Sequence, residues 1–420
     1  MRAEILCVGT ELLLGQIIDT NAAYIAGQLA RAGTDVLRKQ TVGDNLERIA
    51  DCISGALNRS EILIITGGLG PTTDDLTREA IASYLKVELE HHAELEANLQ
   101  AFFDKRGITP GATIMRQAFL PKGAQAIPNP VGTAPGVFVQ TKEDKLIFAV
   151  PGVPREMKAL LDGFIIPTIS ERESGERQII VSRVLRAFGV GESTLAEPIE
   201  DILTTSKNPT VAPLIFGNTE VHLRLTAKAR DEEEAAVLLD ETEAILRARV
   251  GDYLFGRDGE TLASVVIGLL RGKGSTLSLA ESLTGGLAQN LICEIPGASD
   301  VFVGGIVAYS EKIKTEILGV DSKTIEAHSA VSSEVAIAMA SGALEKFDSD
   351  FSLSLTGEAG PNGSSGAPVG TVWIGLAAKG STPFTAYKRE FFGDRDAIRR
   401  RAAHAALDIL RRHLLALPIT

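Results

Sequence analysis

The sequence predicts an α/β protein in three parts: a doubly wound sheet, a small α+β module and a second α/β domain. Three observations carry that reading. A chain of 420 residues is too long for one ordinary core, which favours two or three domains. Up to about Ile169, short apolar runs ending in glycine turns alternate with helix-length segments, the pattern of βαβ units. The polar, charged stretch Ser170–Gln178 breaks that pattern, and strand-and-helix alternation resumes only after Thr261.

The first part covers residues 1–170. Glu4–Val8 and Glu61–Thr66 are apolar runs closed by glycine turns, and Thr20–Ala32 and Asn45–Asn58 show helical spacing between them. Lys145–Val150 is another strand of the buried type, followed by Pro151-Gly152. Such an order implies a mostly parallel sheet with helices on both faces. The module at 176–252 opens with a strand near Ile179–Phe188 and a helix from Gly191. A strand at Glu220–Ala227 and an acidic-start helix, Asp231–Val250, complete it. Gly251–Gly259 reads as a linker. The last part, 258–420, begins with helix Leu262–Leu270 and strand Thr276–Leu279 and ends in helix Arg395–Leu415. Trp373, Phe391 and Phe392 read as strand core. Pro130-Val131-Gly132-Thr133 and Pro368-Val369-Gly370-Thr371 each lead into a strand, which a shared turn explains without duplication. Low complexity is confined to Gly360–Gly366.

Composition narrows the function. Hydrophobic residues make up 45% and charged residues 23%, a globular balance, and no apolar run is long enough for a membrane span. The N-terminus lacks the apolar region and cleavage site of a signal peptide and reads as a first strand. Cys7, Cys52 and Cys293 are widely spaced and odd in number, giving neither a disulfide framework nor a CxxC metal site. A cytoplasmic location is expected. The net charge of −12 argues against broad binding of nucleic acid or anionic membranes. The basic run Arg395 to Arg401 reads as a solvated helix face, and His91-His92 as the solvated start of an acidic helix.

The first chemical constellation is Thr66-Gly67-Gly68-Leu69-Gly70-Pro71-Thr72-Thr73-Asp74-Asp75-Leu76-Thr77. It sits where a strand ends and a helix begins, the edge at which open parallel sheets bind ligands. Glycines such as Gly67, Gly68 and Gly70 let backbone approach an anion, and N–H groups at a helix start, near Thr72, favour phosphate. The paired Asp74 and Asp75 repel phosphate unless a cation lies between. Oxygen-only ligation points to a hard divalent cation such as Mg²⁺, and two other strand-end acids, Glu11 and Asp44, could join the set. The glycine order fits neither the Rossmann fingerprint nor a Walker A loop.

These residues carry a resemblance. Gly9-Thr10-Glu11-Leu12-Leu13-Leu14-Gly15, Asp19-Thr20-Asn21, Thr66 to Thr77, Gly132-Thr133-Ala134-Pro135-Gly136 and Pro151-Gly152-Val153-Pro154-Arg155-Glu156-Met157 resemble the N-terminal half of the CinA (competence/damage-inducible protein A) family. That half is similar to the molybdopterin-binding fold. The resemblance runs the length of the chain, the middle module resembling the family's KH-like domain and the last its amidohydrolase domain. It implies a homodimer whose first domain is a metal-dependent ADP-ribose pyrophosphatase, releasing AMP and ribose 5-phosphate. A pterin- or nucleotide-binding module without turnover, or a regulator of competence or DNA-damage response, are the other readings. The middle module has no Gly-x-x-Gly loop flanked by Lys or Arg, so RNA is not an expected partner.

The second constellation is Ala280-Glu281-Ser282-Leu283-Thr284-Gly285-Gly286, followed by Tyr309-Ser310-Glu311-Lys312-Ile313-Lys314. A serine opening a glycine turn exposes its hydroxyl while Thr284, Gly285 and Gly286 aim backbone N–H groups at a developing oxyanion. Serine needs a base, and with no histidine nearby the candidates are Lys314 and Lys312. The segment resembles the nicotinamide mononucleotide (NMN) amidohydrolase domain. Its Tyr-Ser-x-x-x-Lys motif falls on Tyr309, Ser310 and Lys314, which selects Lys314 and adds Tyr309 to the catalytic set. Thr356-Gly357-Glu358-Ala359-Gly360-Pro361 matches its Thr-Gly-x-Ala-Gly-Pro loop, and Gly393-Asp394-Arg395 its Gly-Asp-Arg element. The resemblance implies attack of Ser282 on the NMN carboxamide without any cofactor, Thr356 and Gly357 at the ribose or phosphate and Arg395 at the phosphate. Two positions depart from the family pattern: Leu283, often cysteine, and Glu358, usually apolar.

Overall fold

The computed structural model describes residues 1–172, 178–216, 219–363 and 366–419. Residues 173–177 of the Ser170–Gln178 break and 364–365 of the Gly360–Gly366 stretch lie outside the described residues. Contacts divide the chain into two compact units: Met1–Val181 with Lys228–Ala236, and Ser182–Ala227 with Val237–Thr420.

Strands β1 (Arg2–Val8), β2 (Asp35–Val42), β3 (Ile62–Thr66), β4 (Leu89–His91), β5 (Phe119–Pro121), β6 (Gln125–Ile127), β7 (Gly136–Gln140) and β8 (Leu146–Val150) belong to the first unit. Its main sheet runs β2-β1-β3-β8-β7-β6, while β4 and β5 form a separate ribbon. The pairs β1–β2, β1–β3 and β3–β8 are parallel; β7–β8 and β6–β7 are antiparallel. Alternate residues of β1 and β3 face opposite sides. Leu6, Val8, Leu63 and Ile65 pack with Ile49 and Ile53 of helix Leu46–Leu57, whereas Ile5, Cys7, Ile62 and Ile64 pack with Ile25 and Leu29 of helix Asn21–Arg31. That division is the doubly wound arrangement. Strand β2 was not legible: its Arg38, Lys39, Gln40 and Thr41 carry no apolar alternation, because it is an edge strand with mostly exposed or half-buried side chains.

The middle module holds β9 (Ile179–Phe188), β10 (Thr210–Phe216), β11 (Glu220–Ala229) and β12 (Leu254–Arg257) in the order β10-β11-β9-β12. Strand β12 corrects the linker reading of Gly251–Gly259: Leu254 and Phe255 are buried and the strand pairs antiparallel with β9. The last domain adds β13 (Leu277–Glu281), β14 (Phe302–Val307), β15 (Phe351–Gly357), β16 (Thr371–Ala378) and β17 (Thr385–Glu390), ordered β14-β13-β15-β16-β17. Strand β13 is parallel to both β14 and β15, so Ser282 and Thr356–Gly360 emerge side by side at one carboxyl edge. Helix Leu262–Lys273 and helix Arg395–Leu414 bury Val266, Ile267, Leu270, Ala402, Ala406 and Leu410 against this sheet. Phe392, read as strand core, lies beyond β17 and is 81% exposed. Among the described residues no helix is long and apolar enough to cross a membrane.

One glycine binds the first cleft's geometry to stability. A Cβ on Gly67 would lie 2.2 Å from the Val8 carbonyl oxygen, and its φ is +102°. Gly67→Ala should therefore cost about 2–4 kcal/mol in urea unfolding. Gly152→Ala, whose Cβ would meet Gly67 at an ordinary 3.5 Å, should cost less than about 1 kcal/mol. Equal effects would mean that Gly67 is not a close-approach position.

Candidate functional site

The last domain's cleft is built around a turn tied down from three sides. The Ser282 N–H donates to the Leu355 carbonyl at 2.8 Å, which sets the serine beside the end of β15. Glu281, fully buried, accepts from the N–H groups of Gly286, Ala288 and Gln289 at 2.9, 3.2 and 2.8 Å, capping helix Leu287–Cys293. From the last helix, Arg399 donates to the carbonyls of Leu283 and Thr284 at 3.1 and 2.8 Å. Gly285 and Gly286 supply the positive φ values of +62° and +94° that close the turn.

Lys314 is delivered by helix Glu311–Glu316. Ser310 caps it by accepting from the Ile313 N–H, so the Tyr-Ser-x-x-x-Lys spacing is that of a capped first helical turn. The Lys314 Nζ lies 3.0 Å from Ser282 Oγ and 3.0 Å from the Ala308 carbonyl. Both side chains are buried, Lys314 at 3% exposure. Burial lowers the Lys314 pKa from its ordinary value, opposed by the nearby Glu311 charge. Lys312 is instead exposed beside Glu316, out of reach of the serine.

These two residues open into a cleft of about 570 Å³, lined also by Tyr309, Thr356, Gly357, Glu358 and Arg395. Arg395 donates to the Gly360 carbonyl at 2.6 Å and to the Tyr309 hydroxyl at 3.1 Å. Tyr309, 61% exposed, thus belongs to the Arg395 wall, and among the described residues no hydrogen bond joins it to the serine or lysine. Thr356 spends its hydroxyl on the Ala330 carbonyl at 2.7 Å. Thr284, Gly285 and Gly286 do not line the cleft. The Gly286 N–H is held by Glu281 and the Gly285 N–H by the Ser282 carbonyl, so neither is available to an oxyanion. The N–H directly after the serine, on Leu283, has no partner among the described residues and lies at the cleft wall. The basic run is likewise more than a solvated face, since Arg395 and Arg399 both anchor loops of this cleft.

In the first unit, Gly67, Gly68, Gly70, Thr72, Glu11, Asp44, Asp74 and Asp75 line one cleft of about 410 Å³ at the carboxyl edge of β1 and β3. Two acids are engaged locally. Asp44 accepts from the Thr10 N–H and hydroxyl at 2.9 and 2.8 Å, and Asp75 from the Thr72 N–H and hydroxyl at 2.8 and 2.6 Å. Among the described residues no three His, Cys, Asp or Glu side chains converge as a ready cation site. The cleft also holds two groups that the sequence did not single out. Glu156 lines it, and Gln117, 2% exposed, leaves its buried Oε1 without a partner. An all-oxygen donor set with an orphaned amide oxygen fits a hydrated hard cation completed by substrate phosphates and water, the usual habit of Mg²⁺.

Fold and clefts define a three-module α/β protein with an acid-lined glycine-loop cleft in front and a buried Ser-Lys pair behind. Residues 4–171 match the family described as Probable molybdopterin binding domain, 182–256 the Damage-inducible protein CinA KH domain, and 259–414 the CinA C-terminal domain. The chain is 43% identical over 416 residues to the competence-damage inducible protein of Caldicellulosiruptor bescii, covering 99% of this chain and 100% of the relative. It is 42% identical over 418 residues to the CinA-like protein of Dictyoglomus thermophilum, covering 99% and 100%. A crystal structure of the protein CinA from Thermoplasma acidophilum matches at 35% identity and a TM-score of 0.38, over 40% of this chain and 97% of that one. The chain belongs to the CinA family.

The turn's dependence on Glu281 is measurable. Glu281→Ala strands three N–H donors and should cost about 2–4 kcal/mol of stability in urea unfolding. A loss below about 0.5 kcal/mol would show that water replaces the carboxylate freely.

Proposed function

We propose that the last domain hydrolyses the carboxamide of nicotinamide mononucleotide to nicotinate mononucleotide and ammonia. The observation that carries this reading is the 3.0 Å contact between Lys314 Nζ and Ser282 Oγ in a cleft that also presents Arg395. Ser282 Oγ attacks the carboxamide carbon, and the neutral Lys314 amine takes its proton. The developing oxyanion lies within reach of the Leu283 N–H. Lys314 returns the proton to the departing nitrogen, the C–N bond breaks and ammonia leaves. Water then attacks the acyl-serine, giving its proton to Lys314; the C–Oγ bond breaks, Lys314 returns the proton to Ser282 Oγ, and the acid is released. Arg395 pairs with the phosphate through its two-pronged guanidinium.

For the first domain we propose cleavage of the ADP-ribose diphosphate. Gly67, Gly68 and Gly70 would let backbone approach the phosphates, while Asp75, Asp44, Asp74 and Glu11 would hold a divalent cation. When bound, that cation supplies charge neutralisation on the diphosphate. Thr72 and Thr10 keep Asp75 and Asp44 oriented.

Ammonia release from NMN should survive EDTA and fall by at least about 10³-fold in Ser282→Ala and in Lys314→Ala. Full activity in Ser282→Ala would sink the Ser-Lys mechanism. Because burial disfavours charged Lys314, kcat/KM should rise with pH as the amine loses its proton, with a midpoint below the ordinary 10.5. Lys314→Arg, permanently charged, should show no such limb.

ADP-ribose cleavage should require added divalent cation and drop by about 10²-fold in Asp75→Asn. Tight pterin binding in calorimetry with no cleavage would make this domain a binding module instead.

A further inference from the structure

We infer that Glu358 makes the Ser282 cleft selective for amides carried on a cationic aromatic ring and helps expel the acid product. The inference rests on the amidase reading above and adds what discriminates the substrate. Glu358 lines the same cleft as Ser282, Lys314 and Arg395, yet is only 6% exposed, so its carboxylate is not simply turned out to water. Its backbone is fixed on both sides: its N–H donates to the Thr371 carbonyl at 2.9 Å and its carbonyl accepts from the Gly370 N–H at 2.8 Å. Leu355, whose carbonyl holds the Ser282 N–H, stands three residues earlier, which keeps Glu358 within about 10 Å of it along the chain.

The charge around the reacting atoms is lopsided. Glu311, Glu326 and Glu358 line the cleft against Arg395 and Lys314, and burial weakens the charged form of the lysine. Such a wall attracts a cation and penalises an anion. A carboxylate in this loop would oppose a phosphate, but the phosphate is only one end of an N-glycosylated pyridinium carboxamide. The ring that bears the scissile amide is positive, and the ribose separates it from the phosphate that Arg395 would take. Hydrolysis replaces the neutral carboxamide with a carboxylate on that ring, so the local charge falls by one. Glu358 then favours substrate over product at the same position. The effect needs only the carboxylate's charge, which a hydrogen bond accepted from the protein leaves in place.

The test compares NMN with its 1,4-dihydro form, which keeps the amide, ribose and phosphate but has a neutral ring. The wild-type preference, as a ratio of kcat/KM values, should fall about tenfold in Glu358→Gln, mostly through KM. Differences in intrinsic amide reactivity cancel between the two proteins. The inhibition constant of nicotinate mononucleotide should fall several-fold in the same variant. A preference and an inhibition constant both unchanged within twofold would overturn the role of Glu358 while leaving the amidase reading intact. No ammonia from NMN in the wild type would remove the amidase reading and this role with it. Should Glu358→Gln fail to fold, Glu358→Val, apolar as the family pattern usually is there, takes the same comparison: a preference for NMN that falls several-fold supports the role, and one unchanged within twofold overturns it.

Discussion

A single buried carboxylate sets the geometry on which the last domain's cleft depends. Glu281 ends β13 with no exposed surface and takes three N–H groups at the start of helix Leu287–Cys293. Unoccupied, those donors would make the helix end an anion site. Occupied, they close the turn and remove that site from competition. Arg395, which lines the same cleft, instead holds the Gly360 carbonyl and the Tyr309 hydroxyl. Arg399 completes the clamp by holding the two carbonyls that follow the serine. Ser282 is therefore positioned from β13, from the neighbouring β15 and from the last helix at once, which leaves its hydroxyl little freedom except toward Lys314.

The first unit also places a cleft at the carboxyl edge of its sheet. Asn21, buried between helix and sheet, donates to the Thr66 hydroxyl and the Gly152 carbonyl at 3.1 and 2.8 Å, joining the ends of β3 and β8. Asp75 closes the glycine loop through Thr72, and a Cβ on Gly70 would lie 2.5 Å from that carboxylate. The glycine therefore serves two demands, backbone approach to a ligand and room for the acid. Arg78, almost wholly buried, reaches back to the Leu69 and Gly70 carbonyls at 2.7 and 3.0 Å and holds the loop from below. Its guanidinium hydrogen-bonds the backbone while its charge also acts on Asp75 and Glu79.

Much of this was legible in the sequence where one residue's role is local. The buried strands β3 and β8, and β1 from Ile5 on, are short apolar runs, and the Tyr-Ser-x-x-x-Lys spacing selects Lys314. What the sequence hid depends on residues distant in the chain. Edge strand β2 carries polar residues because solvent takes one side of it, and β12 is too short to show a period. Glu281 looks like any acid beside a serine until the fold turns three amides toward it. Arg399 lies in a run whose spacing suggests a solvated face; only the packing of the last helix against helix Leu287–Cys293 and β15 gives it two carbonyls. Gln117 has no motif at all, and its orphaned oxygen is visible only in three dimensions. The contact of Tyr309, whose hydroxyl accepts from Arg395 across 86 positions, was likewise outside the motif's reach.

The hydrogen-bond count around Lys314 bears on why a lysine can serve where histidine is absent. An ammonium has three N–H donors, whereas the neutral amine has two and a lone pair. The buried Nζ has two partners among the described residues, the Ala308 carbonyl and the Ser282 hydroxyl. The carbonyl can only accept, so it takes an N–H in either state. The hydroxyl can accept or donate, and as a donor it suits the lone pair of the amine. An ammonium at the same place would carry a third N–H that neither of these two partners takes, in a cleft where burial already disfavours the charge. Desolvation thus presses toward the form that can take a proton from serine. The position of Nζ over the serine is set by the Ser310 cap, which starts its helix, and by the Ala308 carbonyl, which takes one of its N–H groups at 3.0 Å.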